Sequence, residues 1–295
     1  MEAVERNAKL VMLKNDLKKE QRNLFVRRFI SNKLAVTGLI IISILTFLVT
    51  IGPLITSYGP NEMVVDERLE GPSSAHWLGT DNLGRDLFTR IVFGAQLSMG
   101  VGLSVAVITS ILGIVIGLYA SYYRVLDNVL MRICDGLMSL PGILLAIALL
   151  AALGPSTKNV IIALSVVYTP NVARVVRSAA LVVREETYIE AMKSQGASSL
   201  RIIWGHIAPN TLSPLIVQST FIFANAIIVE AALSFLGAGV PPPDPSLGNI
   251  LFDGKLVIFT AWWMVLFPGI CIILSVLGLN LFGDGLRDIL DPHSN

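Results

Sequence analysis

The sequence predicts an all-α fold, a polytopic membrane helical bundle with six transmembrane helices. Three observations carry that prediction. The 295 residues are 54% apolar and only 15% charged, against roughly 25% charged residues in soluble domains, so a soluble fold lacks the polar surface to cover itself. The charges are clumped, and the uncharged runs between them approach the roughly 20 helical residues that cross a hydrocarbon core of about 30 Å. The basic residues also alternate by side along the chain, as the positive-inside rule requires of successive spans.

The elements follow in order. Residues 1–33 form a charge-rich arm, with Arg6, Lys9, Lys14, Lys18 and Lys19 in its first part. Leu24, Phe25, Phe29 and Ile30 interleave with Arg22, Arg27 and Arg28, a pattern that predicts an interfacial helix on the inner membrane surface. The first apolar run, 34–55, is too long for a signal-peptide core and lies too far into the chain, so it is expected to stay as an anchor. An external loop at 56–91 comes next. The further runs are 92–119, 136–153, 159–173, 212–237 and 260–282. They lack period-two alternation, and an isolated strand in lipid would leave backbone groups unpaired, so helices are expected.

The fourth run is the weakest. Fifteen residues separate Lys158 from Arg174, and Pro170 lies within them. Charge decides that it spans. With six spans the N-terminal arm, Arg124, Arg132, the cluster Arg174, Arg177, Arg184, Lys193 and Arg201, and Arg287 all lie inside. Only Arg68, Arg85, Arg90, Lys158 and Lys255 lie outside. Dropping the fourth span moves the basic cluster outside. Both termini are therefore expected in the cytoplasm, with residues 92–285 as the transmembrane core, 174–211 as an inner loop and 286–295 as a tail. Trp262 and Trp263 open the sixth run where an outer aromatic belt would sit. Cys134 and Cys271 form no CxxC pair and read as small buried hydrophobes.

The inner loop carries the strongest local pattern, Tyr188-Ile189-Glu190-Ala191-Met192-Lys193-Ser194-Gln195-Gly196, then His206-Ile207-Ala208-Pro209. Good helix formers precede Gly196, which permits a sharp turn. A second short helix is expected from Ala197 towards Trp204, stopped by Pro209. A helix–Gly–helix element under the membrane is a rigid docking knob, and an ordinary charged interhelical loop is the alternative. Outside, Thr80 or Asp81 is expected to cap a helix running into the second span, with Asp81/Arg85 and Asp86/Arg90 as i,i+4 surface pairs worth a few tenths of a kcal/mol each. Pro241-Pro242-Pro243 is expected to end the fifth helix. Glu230 is the clear carboxylate deep in a span. It is expected to face the bundle or a water-filled cavity, either against polar groups of a partner or along a path where it attracts a free amino group.

The inner-loop pattern resembles the EAA loop of the permeases of ABC importers, with Met192 in place of the second alanine and Ala208 and His206 where larger aliphatic residues are usual. Three more stretches resemble the dipeptide and oligopeptide importer branch. They are His76-Trp77-Leu78-Gly79-Thr80-Asp81-Asn82-Leu83-Gly84-Arg85-Asp86, Ser234-Phe235-Leu236-Gly237-Ala238-Gly239-Val240-Pro241-Pro242-Pro243, and the stretch from Leu279 to Pro292. Together they cover about three quarters of the chain and look like the second of that family's two permeases.

The resemblance implies a type I ABC importer permease fold and a bacterial inner-membrane location. It implies ATPase coupling through Glu190, Ala191, Gly196 and Pro209, and outer docking or gating at Asp81, Arg85 and Asp86. The implied partners are a homologous permease, two cytoplasmic ATP-binding subunits and an extracytoplasmic solute-binding protein. The solutes handled within that family are dipeptides and oligopeptides, with glutathione-like peptides or chelated nickel as alternatives.

No GxxxxGK[ST] loop occurs, so ATP is expected on separate subunits and no cofactor on this chain. His76, His206 and His293 are too dispersed for one metal site, and no nucleophile elbow appears. A net charge of +1 suggests no nucleic-acid partner. An ion-coupled secondary transporter would place several ionisable groups within its spans. An intramembrane enzyme would need a reactive constellation at membrane depth.

Overall fold

The computed structural model describes residues 19–20, 23–24 and 26–290. Within them the chain is a helical bundle. Residues 26–31 are helical, and the Phe29 ring meets Phe282 edge-on. Of the arm's interfacial helix, Arg22 and Phe25 lie outside the described residues, as do the basic residues from Arg6 to Lys18 and, at the other end, Pro292 and His293.

Helix α1 (Lys33–Ile55) is capped by Asn32, whose side chain accepts from the Ala35 N–H. It packs along the last span at small residues. A methyl group on Gly38 would collide with the backbone of Gly278 and Phe282, and one on Gly285 with Ala35. Small residues let two backbones approach closely, which is how helices gain van der Waals packing where lipid is as apolar as the side chains.

Helix α2 (Leu87–Tyr122) starts five residues before the apolar run at 92 but later than a cap at Thr80 or Asp81 would place it, and Asp86 caps it instead. The third span is not the continuous run 136–153. Helix α3 (Arg124–Met138) turns through 92° at Ser139–Pro141 into α4 (Gly142–Leu153). The residue before a proline resists the α conformation, so Pro141 interrupts the helix. The 12 residues of α4 reach only about 18 Å, so this element spans only if the bent pair counts as one. Among the described residues five helices are long and apolar enough by themselves, and the bent pair, if counted as one span, makes six.

Helix α5 (Thr157–Arg184) is 28 residues long, nearly twice the expected run. The sequence boundary at Arg174 was drawn at charge, but the helix continues through it. Arg177 makes a bidentate pair with Asp127 of α3 at 2.5 and 2.6 Å, and Arg174 pairs with Asp135. Helix α6 (Thr187–Ser194) follows. Helix α7 (Ser199–Phe235) then runs 37 residues. Pro209 does not stop it. The turn at Ile203–Ile207 is a wide π turn, and the Ala208 N–H reaches back to the Ile203 carbonyl. That widening makes room for a ring which would otherwise strike the carbonyl four residues back.

Helix α7 ends at Phe235, with Gly237 just beyond its cap and four residues before the prolines. Gly237 sits at φ +80°, and the Ala238 N–H donates to the Leu233 carbonyl at 2.9 Å, the glycine-led closure common at helix C-termini. A helix absent from the sequence reading follows, α8 (Leu247–Lys255), capped by Ser246 and burying Leu247 and Ile250. Its signals were the Ser246 cap and the Leu247/Ile250/Leu251 spacing. Helix α9 (Trp263–Leu290) closes the fold. The main core lies between α2, α4, α5 and α7, and a second core binds α1, α2, α8 and α9 at the end where α2 begins.

Candidate functional site

Two extramembrane elements collect the residues singled out by sequence. The one expected on the inner side is built on α5, whose Arg184 donates to the Ser121 carbonyl at 2.6 Å and so ties its end to α2. Helix α6 then folds back. Ile189 is fully buried in the main core, with Met192 and Ala197 packed against it. Those three anchors leave Tyr188, Glu190, Ala191 and Lys193 exposed. The reversal falls at Gly196, φ +76°. The Gly196 N–H donates to the Lys193 carbonyl and the Ala197 N–H to the Met192 carbonyl, both at 3.0 Å. Nothing lies within 4 Å of where a Cβ would stand, so backbone conformation rather than crowding selects glycine. An L-residue in that left-handed region costs about 1–2 kcal/mol.

Beyond the turn, Ile202 and Ile203 are buried while Leu200 and Trp204 are 60% and 43% exposed. The expected helix–Gly–helix element is present, but its second helix is the first turn of α7. Pro209 lies on that span, and Asn210 beside it donates to the His206 carbonyl at 2.7 Å. The element is an exposed mixed surface of Tyr188, Glu190, Leu200, Arg201 and Trp204, bolted to two long spans.

The element expected on the outer side, residues 56–86, treats its charges in the opposite way. Residues 81–86 form a tight turn closed by a bridge between Thr80 and Asp86, so Asp81 and Arg85 are not helical neighbours. Asp81, 1% exposed, accepts from the backbone N–H groups of Leu83 and Arg85 at 2.8 and 3.0 Å. Its other oxygen meets Arg85 Nε at 2.6 Å and Arg90 Nε at 3.3 Å. Arg85 reaches Asp253 of α8 at 3.5 Å. Asp86 pairs with His76 Nδ1 at 2.9 Å instead of Arg90, and accepts from Thr89. His76 Nε2 meets Glu67 at 3.0 Å.

Burial disfavours the charged imidazole, but the hydrogen bonds and charges of Asp86 and Glu67 outweigh it and raise the His76 pKa above its ordinary 6.5. Trp263 is buried, and its Nε1 donates to the Thr80 carbonyl at 3.1 Å, while Trp262 is 51% exposed. Trp263 therefore belongs to the loop's own packing instead of standing free as a belt residue. His76, Arg90 and Trp263 complete a network whose charged core, Asp81, Arg85 and Asp86, was legible. His76 and Trp263 lacked a local spacing signal because their partners lie 9–183 residues away, and Arg90, expected to pair with Asp86, pairs with Asp81 instead.

Glu230 is fully buried. Its oxygens accept from Ser98 Oγ of α2 at 2.7 Å and Ser234 Oγ of α7 at 2.8 Å. Ser98 Oγ in turn accepts from the Leu247 N–H at the start of α8 at 3.4 Å. The carboxylate is thus taken up within the chain, where it joins α2, α7 and α8. Among the described residues no group of three His, Cys, Asp or Glu side chains is arranged to hold a metal ion.

Five long apolar helices, a bent pair that can make a sixth span and a short exposed helix fastened at their end define, among the described residues, a multi-pass membrane bundle. The comparisons agree. The family of binding-protein-dependent transport system inner membrane components matches residues 109–295, and the N-terminal transmembrane domain of oligopeptide transport permease C matches residues 21–72. The dipeptide transport system permease protein of Alkalihalophilus pseudofirmus is 50% identical over 262 residues, covering 88% of this chain and 86% of that protein. The di/tripeptide transport system permease protein of Pseudomonas aeruginosa is 42% identical over 275 residues, 91% of each. The glutathione transport system permease protein of Pectobacterium atrosepticum is 41% identical over 270 residues, 91% of this chain and 90% of that protein. A solved structure of the MetNI methionine ABC transporter shares the fold at TM-score 0.56 and 20% identity, covering 68% of this chain and 96% of that chain. The chain belongs to the binding-protein-dependent transport system inner membrane component family.

Proposed function

We propose that this chain is one of two transmembrane subunits of an ATP-driven importer of dipeptides or oligopeptides in a bacterial inner membrane, with both termini in the cytoplasm. The observation that carries the reading is the short exposed helix α6, anchored by Ile189 and presented by the Gly196 turn at the joint of α5 and α7. A force on α6 acts at once on two spans of 28 and 37 residues. Glu190 and Ala191 face outward to meet a cytoplasmic ATP-binding subunit, Gly196 sets their angle, and Pro209 with its wide turn lets α7 carry the motion without a break. Two such ATPases, a homologous permease and an extracytoplasmic solute-binding protein complete the machine. ATP favours one global state of the assembly, and that differential affinity moves the pathway between inward and outward access.

The peptide reading is supported by the names of the relatives at 42–50% identity and by the four motifs. At the outer face, Asp81, Arg85 and Asp86 are buried, so they serve docking or gating by fixing the shape of the loop. Glu230 serves the path from inside the chain by holding α8 at its outer mouth.

Glu190→Lys tests the docking reading. It reverses an exposed charge, so insertion should be unchanged while recovery of the ATPase with the permease falls several-fold. Undiminished recovery with normal uptake removes Glu190 from the contact. For orientation, cysteines at Ser73 and Asp244 should react with an impermeant reagent on intact cells, and one at Ser198 only after permeabilisation.

A further inference from the structure

The face of α7 turned away from Glu230 carries polar groups that the bundle does not use. Asn225 is exposed and Gln218 half-buried, and neither side chain makes a hydrogen bond among the described residues. At 1.5 Å per residue they lie about 15 and 26 Å below the outer end of α7, within the depth of the bilayer. With Asn210 at the inner end they fall within about 80° of one another around the helix, at steps of 100° per residue. Pro214 lies on the same arc and has no N–H for the Asn210 carbonyl. Below Gln218 the face opens into a hollow of about 670 Å³, lined by Asn210, Ser213, Gln218 and Phe221 of α7, Val175 of α5 and Arg287 of α9.

A carboxamide left unpaired in hydrocarbon is costly, so this face needs a polar occupant. A carboxamide offers both donors and an acceptor without charge. A peptide backbone offers the same pair at every residue, whatever its side chains. We infer that Asn225 and Gln218 line the solute path and hydrogen-bond the backbone of a peptide in transit, with the hollow as its inner exit. This rests on the peptide-importer reading above and adds the groups that would recognise the backbone without selecting side chains.

The experiment compares uptake by the whole importer in proteoliposomes for the wild type, Gln218→Leu and Asn225→Leu. Two solutes bound equally by the solute-binding protein are used, a tripeptide and its analogue with one amide replaced by an ester, which removes a backbone donor. Losing one uncharged hydrogen bond is expected to lower tripeptide uptake about 3- to 10-fold. The ester analogue should lose less than 2-fold, since its bond is already missing. Co-recovery of the second permease and the ATPases should be unchanged. Equal losses for both solutes, or none, overturn the inference. So does failure of either variant to hold the second permease, which would make the stripe a subunit contact. Absence of tripeptide uptake by the wild-type importer would instead defeat the peptide reading itself.

Discussion

On the face expected outside, Asp81, Arg85 and Arg90 are buried and bonded together and to Asp253, and Asp86 is bonded to His76, while on the face expected inside Glu190 and Lys193 are exposed on a helix held by apolar anchors, one turn and aromatic contacts such as Lys193 over the Tyr122 ring. Both stretches read alike in sequence, as charged residues near a glycine between apolar runs. The difference is what lies beneath. The outer loop folds back over the ends of α2, α8 and α9, so its charges lose water and must find each other. Helix α6 has a core on one side only, so its charges stay free for a partner. A buried pair says little about net stability, but removing one member leaves the other uncompensated.

The sharpest way to break this contrast is Asp81→Ala. It deprives Arg85 and Arg90 of their shared carboxylate and two backbone N–H groups of their acceptor. About 3–5 kcal/mol is expected from stranding a buried charge, seen as early thermal unfolding and protease cleavage near residues 67–90. An unchanged cleavage pattern would mean the loop does not depend on its ionic core.

Gly196→Val comes next. It forces a β-branched residue to φ +76°, at roughly 1–2 kcal/mol or more, in a turn whose surroundings are empty. Global stability should change by little more than that, while ATP hydrolysis ceases to drive uptake. Gly196→Asn should retain more coupling, because asparagine tolerates the left-handed region. Equal loss in both variants would point to a partner surface seated on the bare glycine rather than to the backbone angle.

The smallest effect is one of pH. The folded-state pKa of His76 is raised, so its contribution to the outer loop is complete below about pH 6.5 and is lost as pH rises through the raised value. The groups facing it are Glu67, Asp86 and the Tyr58 ring, whose centroid lies 4.8 Å away. Protease resistance of the purified complex should therefore decline with rising pH, and His76→Gln should flatten the profile. The inner element should show no matching change.

The sequence by itself determined the membrane bundle, because apolar length and charge asymmetry answer directly to the thickness and polarity of the bilayer. It determined the Gly196 turn as well, since a left-handed residue between two short helices is a local requirement. Only the tertiary structure decided where charge marks an end and where it does not. Arg174 and Arg177 looked like the limit of a span, but they continue α5 because Asp135 and Asp127 of α3 neutralise them across the bundle. Asp86 looked like a partner for Arg90 four residues on, but it caps α2 and holds His76. Glu230 was expected to meet polar groups of a partner or to face the solute path, and which distant hydroxyl within its own chain donates to it, Ser98 132 residues away, came only from the tertiary structure. Water and lipid act on each residue where it stands, so composition reports them, whereas the partner of a buried charge depends on which distant segment folding brings within 3 Å.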